Sequence, residues 1–219
     1  LATILGAALA LLQSAGADLV EIDMPGLAEA DEAVGPPILL HEALRELAAY
    51  LLMHDSRMSV LDIVTQVAGE AERTVLSGIA GDLAVPASAY REALVTARPR
   101  LQALFAETFA ASKLDAILGA TTPLPARPVG QEAEVEINGE KVPTFAAYSR
   151  NVDPPTHAGL PALRLPAGLT AQGLPVGLQL VGPAGGDGRL LSLAAAIEAT
   201  LPPLPPPRIC PAVGCPRDR

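Results

Sequence analysis

The side chains best suited to chemistry lie in one short polar segment, residues 150–157, just before a predicted buried strand. The segment supplies a guanidinium, an amide, a carboxylate, a hydroxyl and an imidazole, from Arg150, Asn151, Asp153, Thr156 and His157. A polar loop beside a buried strand is a common location for residues that line a ligand pocket. The same residue types are also typical of a surface loop in which Asn and Asp stabilise turns. The sequence places no acidic partner for His157, which favours a loop histidine over a general base.

The cysteines and histidines do not form the pattern of a metal site. Cys210 and Cys215 lie within the last ten residues, far in sequence from His41, His54 and His157. A zinc site needs two further ligands near such a pair, and a disulfide framework needs more cysteines spread through the fold. We expect two reduced thiols without a structural role, the alternatives being a tail disulfide or a weak metal clip. The sequence predicts no metal and no cofactor.

Length and composition limit the classes of protein that this chain can be. It has 219 residues, of which 50% are hydrophobic and 18% are charged. This length predicts one domain or slightly more, and this composition excludes a wholly disordered chain. The net charge is −9 and aromatic residues make up 3%. Such a surface repels phosphate and offers little for bases to stack on, which argues against a nucleic-acid partner.

The apolar run at residues 1–12 is interpreted as part of a helix. It is shorter than the ~20 residues that span a bilayer, and it lacks the positive charge that begins a signal peptide. The small residues at 14–17 resemble a cleavage site, so a targeting segment is the alternative. The main interpretation is a helix over residues 2–15 that stops at Gly16. We expect a cytoplasmic protein without a membrane partner.

Further helices are predicted from apolar spacing and capping residues. They fall around residues 38–52, 59–68, 89–112 and 188–200, the second of them with a capping box at Ser59. Ser88 and Asp187 are expected to cap the last two helices. Pro99 removes one helix hydrogen bond and clashes with the preceding turn, which predicts a kink or a break there. Residues 78–81 are expected to form a loop.

Short apolar runs predict the strands, at residues 18–22, 114–118, 161–165 and 174–181. Asn138-Gly139 lies between two charged runs and predicts a peripheral hairpin, because both turn residues must take positive φ. The lack of polar alternation over 174–181 indicates a strand covered on both faces. Together the patterns predict an α/β protein: a layered α/β/α fold with a mixed, largely buried sheet over residues 1–200. A proline-rich tail follows at 201–219.

Ordered strings of residues carry a resemblance to a known family. GLPALRLPAG at 159–168 and GLPVGLQLVG at 173–182 are followed by DGRLL at 187–191, with Ala194 and Glu198 beyond it. This order resembles the C-terminal signature of the amidase signature family, whereas any buried strand pair followed by a helix would explain only the residue types. Residues 115–123, 148–154 and 42–50 look like the mandelamide and indoleacetamide hydrolase branch. The resemblance extends to about residue 205 and covers the C-terminal half of a family member.

The resemblance implies amide hydrolysis by a Ser–cis-Ser–Lys triad in a loop rich in glycine and serine. This chain has no adjacent serines, and its two lysines, Lys113 and Lys141, end a predicted helix and lie in the predicted hairpin. By the family's order the triad is expected upstream of Leu1, so no residue here is expected to be catalytic and the chain alone is expected to be inactive. We expect this half to supply sheet, core and one wall of the pocket for a small-molecule amide. A homo-oligomer is a further expectation.

Arg164 is the clearest departure from the family, whose members usually carry a small residue there, commonly serine. In a strand its side chain points opposite to those of its neighbours Leu163 and Leu165. The leading expectation is that the guanidinium pairs with a carboxylate such as Asp153, or with a substrate oxygen, because a buried charge needs a partner. The alternatives are an arginine with its head in water, or a lineage that is drifting away from activity.

Three functions remain open on the sequence alone. The leading hypothesis is the C-terminal portion of an amide hydrolase acting on small, aryl-acetamide-like amides. The second is a truncated, non-catalytic or partner-binding module, which would expose an apolar face and self-associate. The third is the glutamine-dependent amidotransferase subunit of the same family, against which the Asn-x-Asp-Pro stretch at 151–154 favours the hydrolase.

Overall fold

Helices make up most of the structure, a computed structural model that describes residues 1–81, 84–128, 130 and 133–206. The first five are α1 (Ala2–Ser14), α2 (Leu27–Glu32), α3 (Gly35–Met53), α4 (Val60–Gln66) and α5 (Glu70–Ile79). The others are α6 (Ala87–Glu92), α7 (Arg98–Ser112), α8 (Thr144–Ser149), α9 (Asp153–Ala158) and α10 (Asp187–Thr200). Among the described residues no helix is both long enough and apolar enough to cross a membrane.

The main sheet has three strands, β1 (Ile117–Ala120), β4 (Ala162–Leu169) and β5 (Pro175–Val181), with β5 in the centre. Both pairings of β5 are antiparallel, so the described part of the sheet is not mixed as predicted. All but two residues of β5 are buried, which confirms the strand covered on both faces. The predicted hairpin is also confirmed: β2 (Glu134–Ile137) and β3 (Glu140–Pro143) pair across Asn138 and Gly139, which both have positive φ.

Two apolar cores lie on opposite faces of the three-stranded sheet, because successive side chains of a strand alternate between faces. Leu165, Leu178 and Leu180 pack on α1 and α10, whose buried residues recur at helical spacing. On the other face Ile117 packs against α7, which buries Leu101, Phe105 and Phe109 at intervals of four residues. The layered α/β/α architecture predicted from the sequence is therefore confirmed.

The long predicted helix over 89–112 is three segments joined end to end. Helix α6 begins at Ala87 after Pro86, so Ser88 lies within the first turn and does not cap it. A π-helical turn (Ala93–Ala97) then separates α6 from α7, and the Arg98 amide donates to the carbonyl of Ala93, five residues back. This turn immediately precedes Pro99 and is the irregularity predicted there, since the wider turn accommodates a residue with no N–H to donate.

Other local predictions had mixed outcomes. Ser59 and Asp62 form the expected capping box at the start of α4. Asp187 is the first residue of α10 and its side chain makes no capping bond, so the prediction of a cap there is wrong. Helix α5 was missed, and it includes Gly78, which was assigned to a loop. The predicted strand at 18–22 is irregular, and Val20 within it is 54% exposed.

The end of the chain is described only in part. Leu201 is buried with α1 and α10, so the start of the predicted tail belongs to the core. Cys210 and Cys215 lie outside the described residues, as do 207–219 as a whole. Several large apolar side chains of α3 are exposed, including Leu52 at 79% and Met53 at 75%. The predicted self-association through an apolar face stays a prediction.

Candidate pocket wall beside the central sheet

A cavity of about 190 Å³ lies between the sheet and the helices on the α7 side. Apolar residues form most of its lining: Met24, Leu27, Phe105, Ile117, Leu118, Pro154, Pro155 and Val181. The remaining lining residues are Gly119 and Ala120 of β1, Gln179 of β5, and Arg150 and Asn151 of the polar segment. The cavity therefore combines an apolar interior with amide and guanidinium groups.

Two amide side chains tie the polar edge of the cavity to the sheet. The Nε2 of Gln179 donates to the backbone carbonyl of Asn151 at 2.6 Å. The Nδ2 of Asn151 donates in turn to the carbonyl of Ala120, the last residue of β1, at 3.0 Å. Gln179 is only 6% exposed, and a buried amide is costly unless it is hydrogen-bonded. This network holds residue 151 against the ends of two strands.

Sequence reasoning missed Gln179 as a site residue. The available signal was a lone polar side chain in an otherwise apolar strand, Val176–Val181, that was predicted to be buried on both faces. A buried glutamine in such a strand must find hydrogen-bond partners, so its position indicates a polar feature packed on the sheet.

The second half of the polar segment is a helix, which corrects the prediction of a loop. Helix α9 begins with Asp153 and carries Pro154 and Pro155 in its first turn, where a missing N–H leaves no helix bond unmade. Both prolines are buried and line the cavity. Gly159 ends the helix with a φ of +75°. The short helix therefore presents a rigid apolar surface to the cavity.

His157 has an acidic partner that is 126 residues away in sequence. Its Nδ1 lies 2.7 Å from the Oδ1 of Asp31 on α2, and both side chains are mostly buried. Burial raises the pKa of the Asp31 carboxyl, and the hydrogen bond and charge of His157 offset part of that rise. The carbonyl of His157 accepts from Arg98 Nε at 2.9 Å, so α7 also holds the end of α9.

The structure separates the six predicted site residues into different locations. Arg150 and Asn151 line the cavity. Asp153, Thr156 and His157 lie on α9 but are outside the lining, and the Thr156 hydroxyl donates to the carbonyl of Val152 within its own segment. Arg164 lies on β4, an edge strand, directly opposite Gln179.

The expected ion pair between Arg164 and Asp153 is wrong. Arg164 is exposed, and none of the described carboxylates lies within 4.0 Å of it, so its head is in water. The expectation assumed that β4 is covered on both faces. As an edge strand, β4 leaves the face around residue 164 open, and no charge needs compensation there.

The cavity offers binding groups but no nucleophile of its own. Its lining contains no serine, lysine or cysteine. Among the described residues no group of three or more His, Cys, Asp or Glu could hold a metal ion. The arrangement can accommodate a small apolar group and form hydrogen bonds or an ionic contact at one edge.

Comparisons with known proteins agree with this geometry. A family model described as amidase matches residues 3–191. Indoleacetamide hydrolase of Agrobacterium vitis is 38% identical over 191 residues, covering 87% of this chain and 41% of that protein. Mandelamide hydrolase of Pseudomonas putida is 35% identical over 207 residues, covering 89% of this chain and 39% of that protein. The chain thus spans about two fifths of the length of these relatives.

A solved structure described as an amidase superposes with a TM-score of 0.72 at 28% identity. The match covers 91% of this chain and 42% of that one. The described layers, including the sheet and the helices around the cavity, therefore correspond to part of a larger fold.

Proposed function

The chain belongs to the amidase family, and we propose that it forms the C-terminal portion of an amide hydrolase. The observation that carries this proposal is the similarity, over more than four fifths of the chain, to two proteins named for the hydrolysis of small amides. The amidotransferase and the non-catalytic module have no comparable observation in their favour.

The proposed role of this portion is to hold the acyl part of the substrate. The apolar interior of the cavity suits an aryl or alkyl group, and about 190 Å³ limits it to a small one. Asn151, Gln179 and Arg150 supply polar groups at one edge, suited to orienting an amide. We therefore propose a small, aryl-acetamide-like substrate, in agreement with the names of the two hydrolases.

The hydrolytic step itself requires groups that the cavity lacks. Water is added across the C–N bond, releasing a carboxylic acid and ammonia or an amine. The family resemblance implies a serine hydroxyl that attacks the carbonyl and a second serine and a lysine that move protons, with backbone N–H groups holding the oxyanion. We propose that these groups come from polypeptide outside this chain and that this chain positions the substrate against them.

The remaining parts of the proposal concern partner and location. A net charge of −9 suits a small-molecule substrate better than a nucleic acid. Two cysteines expected to be reduced are consistent with the cytoplasm. A homo-oligomer is also proposed, and light scattering of the purified protein tests it.

The test compares the chain alone with a chimera. The chimera joins residues 1–219 to the portion of the Agrobacterium vitis relative that this chain does not match. With phenylacetamide as substrate, the chimera should release ammonia while the 219-residue chain should not. Asn151→Ala in the chimera should raise KM more than it lowers kcat, since it removes a binding contact. Turnover by the chain alone, abolished by mutating one of its own residues, would overturn the proposal.

A further inference from the structure

Two of the helices that line the cavity are too short to hold their own positions. Helix α2 contributes Leu27 and α9 contributes Pro154 and Pro155, and each helix has six residues. Isolated helices of this length are unstable in water, because nucleation costs more than one or two turns return. The shape of the cavity therefore depends on side-chain contacts that fix α2 and α9 relative to each other.

The contact between Asp31 and His157 makes such a connection. Asp31 is on α2, one turn after Leu27, and His157 is on α9, two residues after Pro155. Their side chains meet at 2.7 Å and are only 17% and 25% exposed. Partial burial strengthens such a contact compared with an exposed ion pair. One polar pair thus joins the two apolar walls.

Several charged groups surround this pair. Asp153 on α9 and Glu32 on α2 both face the Asp31 carboxylate and disfavour its charge. Arg98 on α7 donates to the His157 carbonyl from the other side. His157 is therefore the side chain that compensates Asp31, while Arg98 anchors the backbone of α9.

A third element fits closely around the imidazole. A Cβ atom added at Gly35, the first residue of α3, would lie 2.2 Å from the Cε1 of His157. Because that distance is far below van der Waals contact, the ring can occupy its place only beside a glycine. The position of the ring is thus set by the Asp31 carboxylate and by the space above Gly35.

We propose that Asp31 and His157 are positioning residues, which hold the two helical walls of the cavity at the separation that fits the substrate. This inference rests on the proposed function, in which the cavity holds the acyl group. The pair acts through Leu27 on one side and Pro155 on the other, and neither charged side chain lines the cavity. The residues set KM and substrate size preference, and the chemical step is not theirs.

Methionine methyl groups report on the cavity directly. The chain has three methionines: Met24 lines the cavity, whereas Met53 and Met58 are exposed and lie outside its lining. In the 219-residue chain labelled with ¹³C at methionine methyls, Asp31→Asn should shift the Met24 resonance and leave those of Met53 and Met58 in place. Asp115→Asn is the matched control, since it removes an exposed carboxylate that pairs with Arg189 away from the cavity.

A second variant disturbs the pair while keeping both ionisable groups. Gly35→Ala replaces a helical glycine by a residue that favours helix, so the backbone of α3 is not weakened. The added methyl group must displace the His157 ring, and the Met24 resonance should shift as it does in Asp31→Asn. Both variants are compared with the parent by circular dichroism, so that loss of fold is recognised separately.

Binding of phenylacetamide, followed by the same methyl signals, tests the functional part. Asp31→Asn, His157→Gln and Gly35→Ala should each weaken binding about fivefold, and the Asp31/His157 double variant should be no weaker than either single variant. Fully additive losses, or a Met24 signal unchanged in folded Asp31→Asn and Gly35→Ala, would overturn the inference. A parent chain whose Met24 signal ignores phenylacetamide would count against the proposed function alone, because the ligand-free shifts still test the pair.

Discussion

Thr121 and Gly177 are in contact through both backbone and side chain. The Thr121 amide donates to the Gly177 carbonyl at 3.1 Å, and the Thr121 side chain lies over the Gly177 α-carbon. A Cβ added at residue 177 would lie 2.6 Å from Oγ1 and 3.3 Å from Cβ of Thr121. Thr121 is 5% exposed, so its side chain has little room to move.

Gly177→Ala should therefore lower the free energy of unfolding by about 1–3 kcal/mol, the usual cost of an extra methyl group in a packed core. Urea denaturation measures this. Gly119→Ala on β1 is the matched control, because nothing lies within 4 Å of its added methyl group, and it should change stability by less than about 0.5 kcal/mol. Thr121→Ala should recover part of the loss in the Gly177→Ala background. Equal effects of the two glycine substitutions would contradict the packing argument.

Gln179→Leu should cost about 1–3 kcal/mol, because it leaves the buried carbonyl of Asn151 without its donor. Gln66→Leu provides the control, since Gln66 also donates to a backbone carbonyl, that of Asp62, but is exposed. Its expected cost is below about 0.5 kcal/mol. Denaturation curves for both variants give the comparison. A loss at Gln179 no larger than that at Gln66 would show that the network does not hold the segment.

The Asp31 carboxyl predicts a pH dependence of stability. Burial raises its pKa in the folded protein, despite the opposing effect of His157, and Asp153 and Glu32 add to the rise. A group with a raised folded pKa contributes most below its unfolded pKa, and that contribution is lost as pH rises through the folded value. The stability of the parent relative to Asp31→Asn should therefore fall between about pH 3 and about pH 6.

Urea unfolding of both proteins at several pH values measures this difference directly. The same series with Asp115→Asn controls for the removal of one carboxylate at an exposed position. If the relative stability of the parent rises with pH instead, the interaction with His157 outweighs burial and the sign assigned here is wrong.

Arg164→Ser should leave the free energy of unfolding within about 0.5 kcal/mol of the parent value. The side chain is exposed and has no carboxylate within 4.0 Å among the described residues, so its removal breaks no ion pair. Arg98→Ser is the informative contrast, because Arg98 donates to the His157 carbonyl and its loss should destabilise the chain. A large loss on Arg164→Ser would indicate a partner beyond the described residues.

Sequence reasoning succeeded where local chemistry decides the structure. Asn138-Gly139 specifies its own turn through positive φ, and the apolar run of β5 specifies a strand buried on both faces. The capping box at Ser59 is likewise contained within four residues. In each example the information lies within the element itself.

The failures involve partners that are distant in sequence. No pattern near His157 reveals Asp31, because α2 and α9 meet only in the folded chain. The alternation at 18–22 has the form of a strand, but a strand also needs a neighbour to pair with, and no described strand pairs with it. Gly177 was expected to admit a neighbouring backbone, and the close neighbour is the side chain of Thr121.

The π-helical turn at Ala93–Ala97 also constrains how this region can change in length. Each residue added to or removed from a helix rotates the rest of that helix by about 100°. With the turn in place, Tyr90 on α6 reaches Glu42 on α3, while Phe105 on α7 reaches the core beside the sheet. Deleting one residue from the turn would restore α-helical spacing and rotate one of these faces out of contact. Insertions and deletions in this helix should therefore be selected against at single-residue steps, even though most of the turn's own side chains are not buried.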